Sequence, residues 1–108
     1  DFVFVDDVID AMISSVHECK AYGETINICS GISRTVGSVV DHILCSMNLT
    51  NPIEVRKTPR GDEIWKISGD NSKAKLLLDW SPTTTFNTGV TKSIQWIHTQ
   101  LNSGQLGV

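Results

Sequence analysis

Arg60 and Asp62 flank Gly61, Pro59 stands before them, and Lys57 lies a little upstream. Proline and glycine punctuate the chain, so these side chains belong to a loop and not to the inside of an element. An arginine on such a loop presents a planar fork of donors that matches a phosphate or carboxylate in bidentate fashion. The neighbouring Asp62 can orient that arginine or accept a bond from a ribose hydroxyl. Lys57 can add charge, though only as a point and without the fork.

The surrounding charge agrees with an anionic ligand. Six of the nine Lys and Arg lie between Arg56 and Lys75, where only Asp62, Glu63 and Asp70 oppose them. That stretch is therefore about +3, while the other residues carry nine acids against three bases, and the net charge is −3. A local positive stretch on an acidic chain suits a small anionic molecule. Nucleic acid is not expected, because it calls for a broadly basic face.

The elements that must hold this loop can be read from spacing. Phe2–Val5 is a short apolar β-prone run, and Asp6 is placed to cap a helix, with Asp7 and Asp10 favouring its first turn. Val8, Met12, Ser15 or Val16, and Cys19 recur at helical spacing, which predicts a helix to about Ala21. Paired carboxylates at Asp6 and Asp7 read as helix capping, not as acid/base chemistry. Thr25–Cys29 predicts a strand, and Thr35 caps a helix carrying Val36, Val39, Val40, Ile43, Leu44 and Met47. Ile53–Arg56 and the run Ile64, Trp65, Ile67 predict two further short strands. Asp70 or Asn71 caps a helix over Ser72–Leu78, with Asp79 as a left-handed stop and Pro82 beyond it. Thr85 caps a last helix whose stripe is Val90, Ile94, Ile97 and Leu101, flanked by Trp96. The tryptophans Trp65, Trp80 and Trp96 read as core or interface residues.

The expected fold is therefore α/β, a small mixed sheet with about four helices, in a chain of 108 residues that allows one domain. No apolar run is long enough to span a membrane. Cys19, Cys29 and Cys45 have no metal spacing and read as reduced thiols, which predicts a cytoplasmic protein. Gly31 stands without the Gly-x-Gly-x-x-Gly pattern, so a complete dinucleotide site is not expected in this chain. The one tyrosine, Tyr22, is followed four residues later by Ile26, so no Tyr-x-x-x-Lys pair occurs.

Three stretches in order resemble the NAD-dependent sugar-nucleotide epimerase/dehydratase family of extended short-chain dehydrogenases. PRGDEIWKISGDNSKAKLLLDWSP (59–82) is similar to that family's Arg-x-Gly-Asp loop, short strand, Asp-x-Ser-Lys-Ala, Leu-Gly-Trp and Pro. DFVFVDDVIDAM (1–12) resembles its Arg-Asp-Phe-x-x-Val-x-Asp-x-x-x-Ala segment, and GETINICSG (23–31) its Gly-x-x-Tyr-Asn-x-Gly-x-Gly turn. With FNTGVTKSIQWI as the last helix, the likeness covers nearly the whole chain.

The resemblance implies the C-terminal, substrate-binding portion of a two-lobed Rossmann-type enzyme. NAD(P) and the Tyr-x-x-x-Lys set would belong to an N-terminal Rossmann lobe, and the parent would be a homodimer. An arginine that precedes Asp1 in relatives would touch the nucleotide's phosphates. Arg60, Asp62, Lys57 and Asn27 would face a nucleoside-diphosphate sugar. Two departures stand out: the loop arginine sits at Arg60, with Pro59 in its usual place, and Ile26 replaces the tyrosine before Asn27. The isolated chain would expose an apolar patch and be marginally stable. A non-catalytic nucleotide-binding relative, or an unrelated small α/β interaction module, are the alternative readings.

Overall fold

The computed structural model describes residues 1–50 and 66–104. Its elements are α1 (Val5–His17), a 3₁₀ turn (Cys19–Ala21), α2 (Val36–Ser46), α3 (Ser72–Leu78) and α4 (Phe86–Asn102). α1 packs with α3 and the 3₁₀ turn, and α2 packs with α4. No helix among the described residues is long and apolar enough to cross a membrane.

The α/β expectation is corrected here, because the described residues form helices and no strand. A ladder needs a neighbouring backbone about 4.8 Å away with its N–H and C=O groups free. At the C-terminal end of the second β-prone run side chains take such groups. Asn71 Nδ2 donates to Cys29 O at 2.9 Å, and Ser30 N and Gly31 N donate to the Asp1 carboxylate. Val3, Ile26 and Ile28 still pack against the core, so their β-prone side chains serve burial without a sheet. The Ile53–Arg56 run, Ile64 and Trp65 lie outside the described residues.

The helix ends follow local chemistry with one exception. Thr35 Oγ1 accepts from Ser38 N at 3.1 Å, and Thr85 Oγ1 accepts from Thr88 N at 3.2 Å, so both expected threonine caps form. Asp79 takes the left-handed conformation at φ 49°, ψ 33° and ends α3, as its position predicts. Asp70 and Asn71 divide the work that the sequence left open between them. Asp70 accepts from Ser72 N and Oγ, while Asn71 turns away to Cys29. The exception is α1. It begins at Val5 with Phe4 at the cap and no side-chain cap bond, so Asp6 sits inside the first turn, not before it. Asp6 meets Lys92 at 3.6 Å on the surface, and Asp7 has a different task, described below.

Among the described residues the buried apolar cluster is small: Ala11, Ala21, Ala74, Leu78 and Trp80. Alanines on both α1 and α3 let the two backbones approach closely, since neither presents a bulky side chain at the crossing. Trp80 is the largest side chain of that cluster, and its indole N–H bonds to the Asp7 carbonyl, joining the end of α3 to α1. Trp96, in contrast, is 59% exposed. The two halves meet at Gly89, where a Cβ would lie 3.1 Å from the Phe4 ring, so the glycine lets Phe4 rest directly on α4.

A second close approach gives a test. A Cβ on Gly69 would stand 2.5 Å from Cys29 Sγ and 2.7 Å from Cys29 Cβ. Gly69→Ala is expected to lower stability by about 1–3 kcal/mol, the usual cost of overpacking. Adding Cys29→Ala should not restore it, because the Cβ clash stays. Urea unfolding of the two variants checks this; an unchanged midpoint for Gly69→Ala would refute the packing.

Candidate functional site

Two carboxylates, Asp1 and Asp7, tie together segments that are distant in the chain. Asp1 Oδ1 accepts from Ser30 N at 2.8 Å and Ser30 Oγ at 2.6 Å. Its Oδ2 accepts from Gly31 N at 2.9 Å and Gly69 N at 3.1 Å. One side chain thus ties the first residue to the Ser30–Gly31 turn and to the segment entering α3. Two more bonds continue the seam: Ser33 Oγ to Ile67 O at 2.9 Å, and Ser68 Oγ to Gly31 O at 3.2 Å. Gly31 has φ +75°, a conformation that favours glycine, and the turn needs it.

Asp7 is the other anchor. Only 2% of it is exposed. Thr83 N and Oγ1 donate to Oδ1 at 3.1 and 2.9 Å, and Thr84 N donates to Oδ2 at 3.1 Å. Thr84 Oγ1 adds a longer bond at 3.3 Å, and Trp80 Nε1 donates to the Asp7 carbonyl at 2.8 Å. Burial alone would raise the Asp7 pKa, but the bonds from Thr83 and Thr84 outweigh it and hold the carboxyl below its ordinary range. These bonds fix the turn that launches α4.

Between the anchors lies a hollow of about 250 Å³, lined by Phe2, Ser30, Arg34 and the Pro82–Phe86 turn among others. Arg34 lies with its guanidinium carbon 4.4 Å from the centre of the Phe86 ring. Phe2 meets that ring edge-on at 6.1 Å, and His42 lies at 5.5 Å. A larger hollow of about 380 Å³ sits between α2 and α4, walled by Val39, Ile43, Val90, Ile94 and Leu101. Its lining is mainly apolar, so it offers packing space and little chemistry.

The expected site residues fall differently. Arg60, Asp62 and Lys57 lie outside the described residues. Asn27 is exposed between the half-buried Ile26 and Ile28 and lines neither hollow. Arg34 was not singled out by the sequence; nothing local marks it, because its partner Phe86 is distant in the chain. Asp7 has the sequence position of a capping residue, and its partners Thr83 and Thr84 are equally distant. Among the described residues no group of three His, Cys, Asp or Glu could hold a metal ion. The Ser30–Thr35 turn does not fit a dinucleotide pyrophosphate, since its Ser30 and Gly31 N–H groups are already given to Asp1.

Comparison with known proteins adds the family. The family model for GDP-mannose 4,6 dehydratase matches residues 1–93. A UDP-glucose 4-epimerase of Mycolicibacterium smegmatis (strain ATCC 700084 / mc(2)155) is 25% identical over 96 residues. That alignment takes in 89% of this chain and 30% of the relative, so the chain spans less than a third of that protein's length. No solved structure gives a significant match.

The Asp7 anchor predicts an acid-sensitive fold. Its folded pKa lies below the unfolded value of about 4. The stabilisation is therefore complete above pH 4 and is lost as pH falls through the folded value. Asp7→Asn should cost about 1–3 kcal/mol at neutral pH and flatten the loss of stability in acid. Asp70 is also shifted down, by Ser72, but it stands in solvent, so Asp70→Asn should change the acid limb little. Denaturant midpoints between pH 2.5 and 7 test both; an Asp7→Asn curve parallel to the parent's would refute the assignment.

Proposed function

The chain belongs to the sugar-nucleotide epimerase/dehydratase family described by the GDP-mannose 4,6 dehydratase model, and from that premise we propose that it forms the substrate-binding portion of an NAD(P)-dependent enzyme acting on a nucleoside-diphosphate sugar. The observation that carries this reading is the family match over residues 1–93. In this reading Arg60 takes the diphosphate with its fork, Lys57 adds charge, and Asp62 orients the arginine or meets the ribose.

The geometry supports the reading in two ways. First, the segment that follows the Arg60–Gly61–Asp62 sequence is tied down at Ile67, Ser68 and Gly69 by Ser33, Gly31 and Asp1. A tethered base lowers the entropy that a ligand-reading loop must surrender on binding. Second, α1 presents Val5, Ile9, Met12, Ile13 and Val16 to solvent, each between 46% and 67% exposed. These positions recur at helical spacing and form one stripe. Contiguous apolar surface of this kind marks an interaction face. We assign it to the Rossmann lobe, which would also carry the catalytic Tyr-x-x-x-Lys set.

The nicotinamide would supply the hydride acceptor. The Ser30–Thr35 turn does not fit the cofactor's pyrophosphate, so no step of the reaction is assigned to the described residues. Their part is to bind and orient: energy from the nucleotide, remote from the reacting carbon, holds the sugar in register. UDP- and GDP-linked sugars are the first substrates to try, as the names of the matched relative and family model suggest.

Calorimetric titration of the NAD-loaded, full-length protein against UDP-, GDP-, CDP- and dTDP-sugars tests the reading. One nucleotide should bind in the micromolar range, and Arg60→Ala should weaken it by about 1.5–3 kcal/mol. Absence of binding across the panel would refute the function. The α1 face has its own test: in the full-length protein, Ile9→Asp with Ile13→Asp should cost about 2–4 kcal/mol if the stripe is covered. Thermal unfolding reads this, and a tolerated double variant would place α1 in solvent.

A further inference from the structure

We propose that Arg34 is a phosphate-contacting residue, and that the hollow in front of Phe86 receives a phosphate group of a small-molecule ligand. The inference rests on the sugar-nucleotide reading for the ligand's identity, but not for the existence of the anion site.

Among the described residues of that lining, Arg34 is the charged side chain. The hydroxyls around it are already engaged. Ser30 Oγ donates to Asp1, Thr83 and Thr84 Oγ1 donate to Asp7, and Thr85 Oγ1 caps α4. Among the described side chains of that lining, the guanidinium, with five N–H donors, is the polar group left to meet a ligand. Among the described residues the ion pairs join Lys73 with Glu24 and Lys92 with Asp6, and neither involves Arg34. The carboxylates of Asp1 and Asp7 are each enclosed by their own donors, so neither competes for the arginine.

The stacking matters as much as the charge. An arginine over an aromatic ring uses its flat face and keeps its N–H edge for a bidentate contact. Phe86 is itself in contact with the Phe2 and His42 rings. Part of the rotamer entropy that a free arginine would lose on binding is therefore already lost. A lysine at this position would supply charge without the fork or the stacking. The volume sets the scale: about 250 Å³ lies below the 300–1,000 Å³ usual for whole ligands. The hollow suits one part of a ligand, with the remainder extending outside it.

The experiment uses the full-length protein, with inorganic pyrophosphate and a UDP-sugar as probes and uridine as the uncharged control. Pyrophosphate should bind, and Arg34→Gln should weaken it about tenfold or more, with Arg34→Lys in between. Phe86→Leu should weaken it less than Arg34→Gln, and uridine should be indifferent to all three. Thermal unfolding of Arg34→Gln should match the parent, since residue 34 is exposed. Pyrophosphate binding that ignores Arg34→Gln, or no pyrophosphate binding, overturns the proposal. If nucleotide sugars fail to bind while pyrophosphate still depends on Arg34, the sugar-nucleotide reading fails and the anion site stands.

Discussion

A carboxylate removed from water is costly unless its oxygens are satisfied, and Asp7 is satisfied by a short run of threonines far along the chain. Much of the fold depends on that match. It fixes the Thr83–Thr84 turn against α1, and the same residue's carbonyl takes the indole N–H of Trp80. The turn in turn sets where α4 begins, and so where Phe86 lies. Asp7 thereby helps to set where the Phe86 ring, the platform for Arg34, is presented.

Polar staples carry work that a larger hydrophobic core would do elsewhere. Among the described residues the buried apolar cluster is mostly alanine with Leu78 and Trp80, and small side chains remove little area from water. Asp1 compensates by joining three segments through four bonds. Such bonds are directional, so they define one arrangement of the turn and the segment entering α3. Their net contribution is modest, about 1 kcal/mol each, because water satisfies the same groups in the unfolded chain. A thin core and an exposed apolar stripe on α1 are consistent with one another: the surface that would complete the core faces outward.

The site has the same character. Charge and aromatic surface meet where the N-terminal segment, the approach to α2 and the start of α4 converge. No single element holds the hollow, so its shape follows from the two carboxylate anchors. That links fold stability to ligand contact through Asp7, Thr84 and Phe86, even though Asp7 is itself buried away from solvent.

Local signals in the sequence determined the helix ends that depend on neighbours. The threonine caps at Thr35 and Thr85, the left-handed stop at Asp79 and the stripe of α4 are written in residues a few positions apart, where backbone geometry alone decides the contact. The ordered motifs also carried the family. The tertiary structure decided the rest. β-prone runs such as Ile26–Cys29 pair only if another backbone is offered, and here side chains from Asp1 and Asn71 reach the flanking groups instead. Asp7 reads as a helix-start residue because its partners, Thr83 and Thr84, are invisible to any local window. Arg34 looks like an ordinary loop arginine until Phe86 is brought beneath it. A carboxylate, a β-prone run and an arginine are each defined by what they face, and only folding across the whole chain determines that.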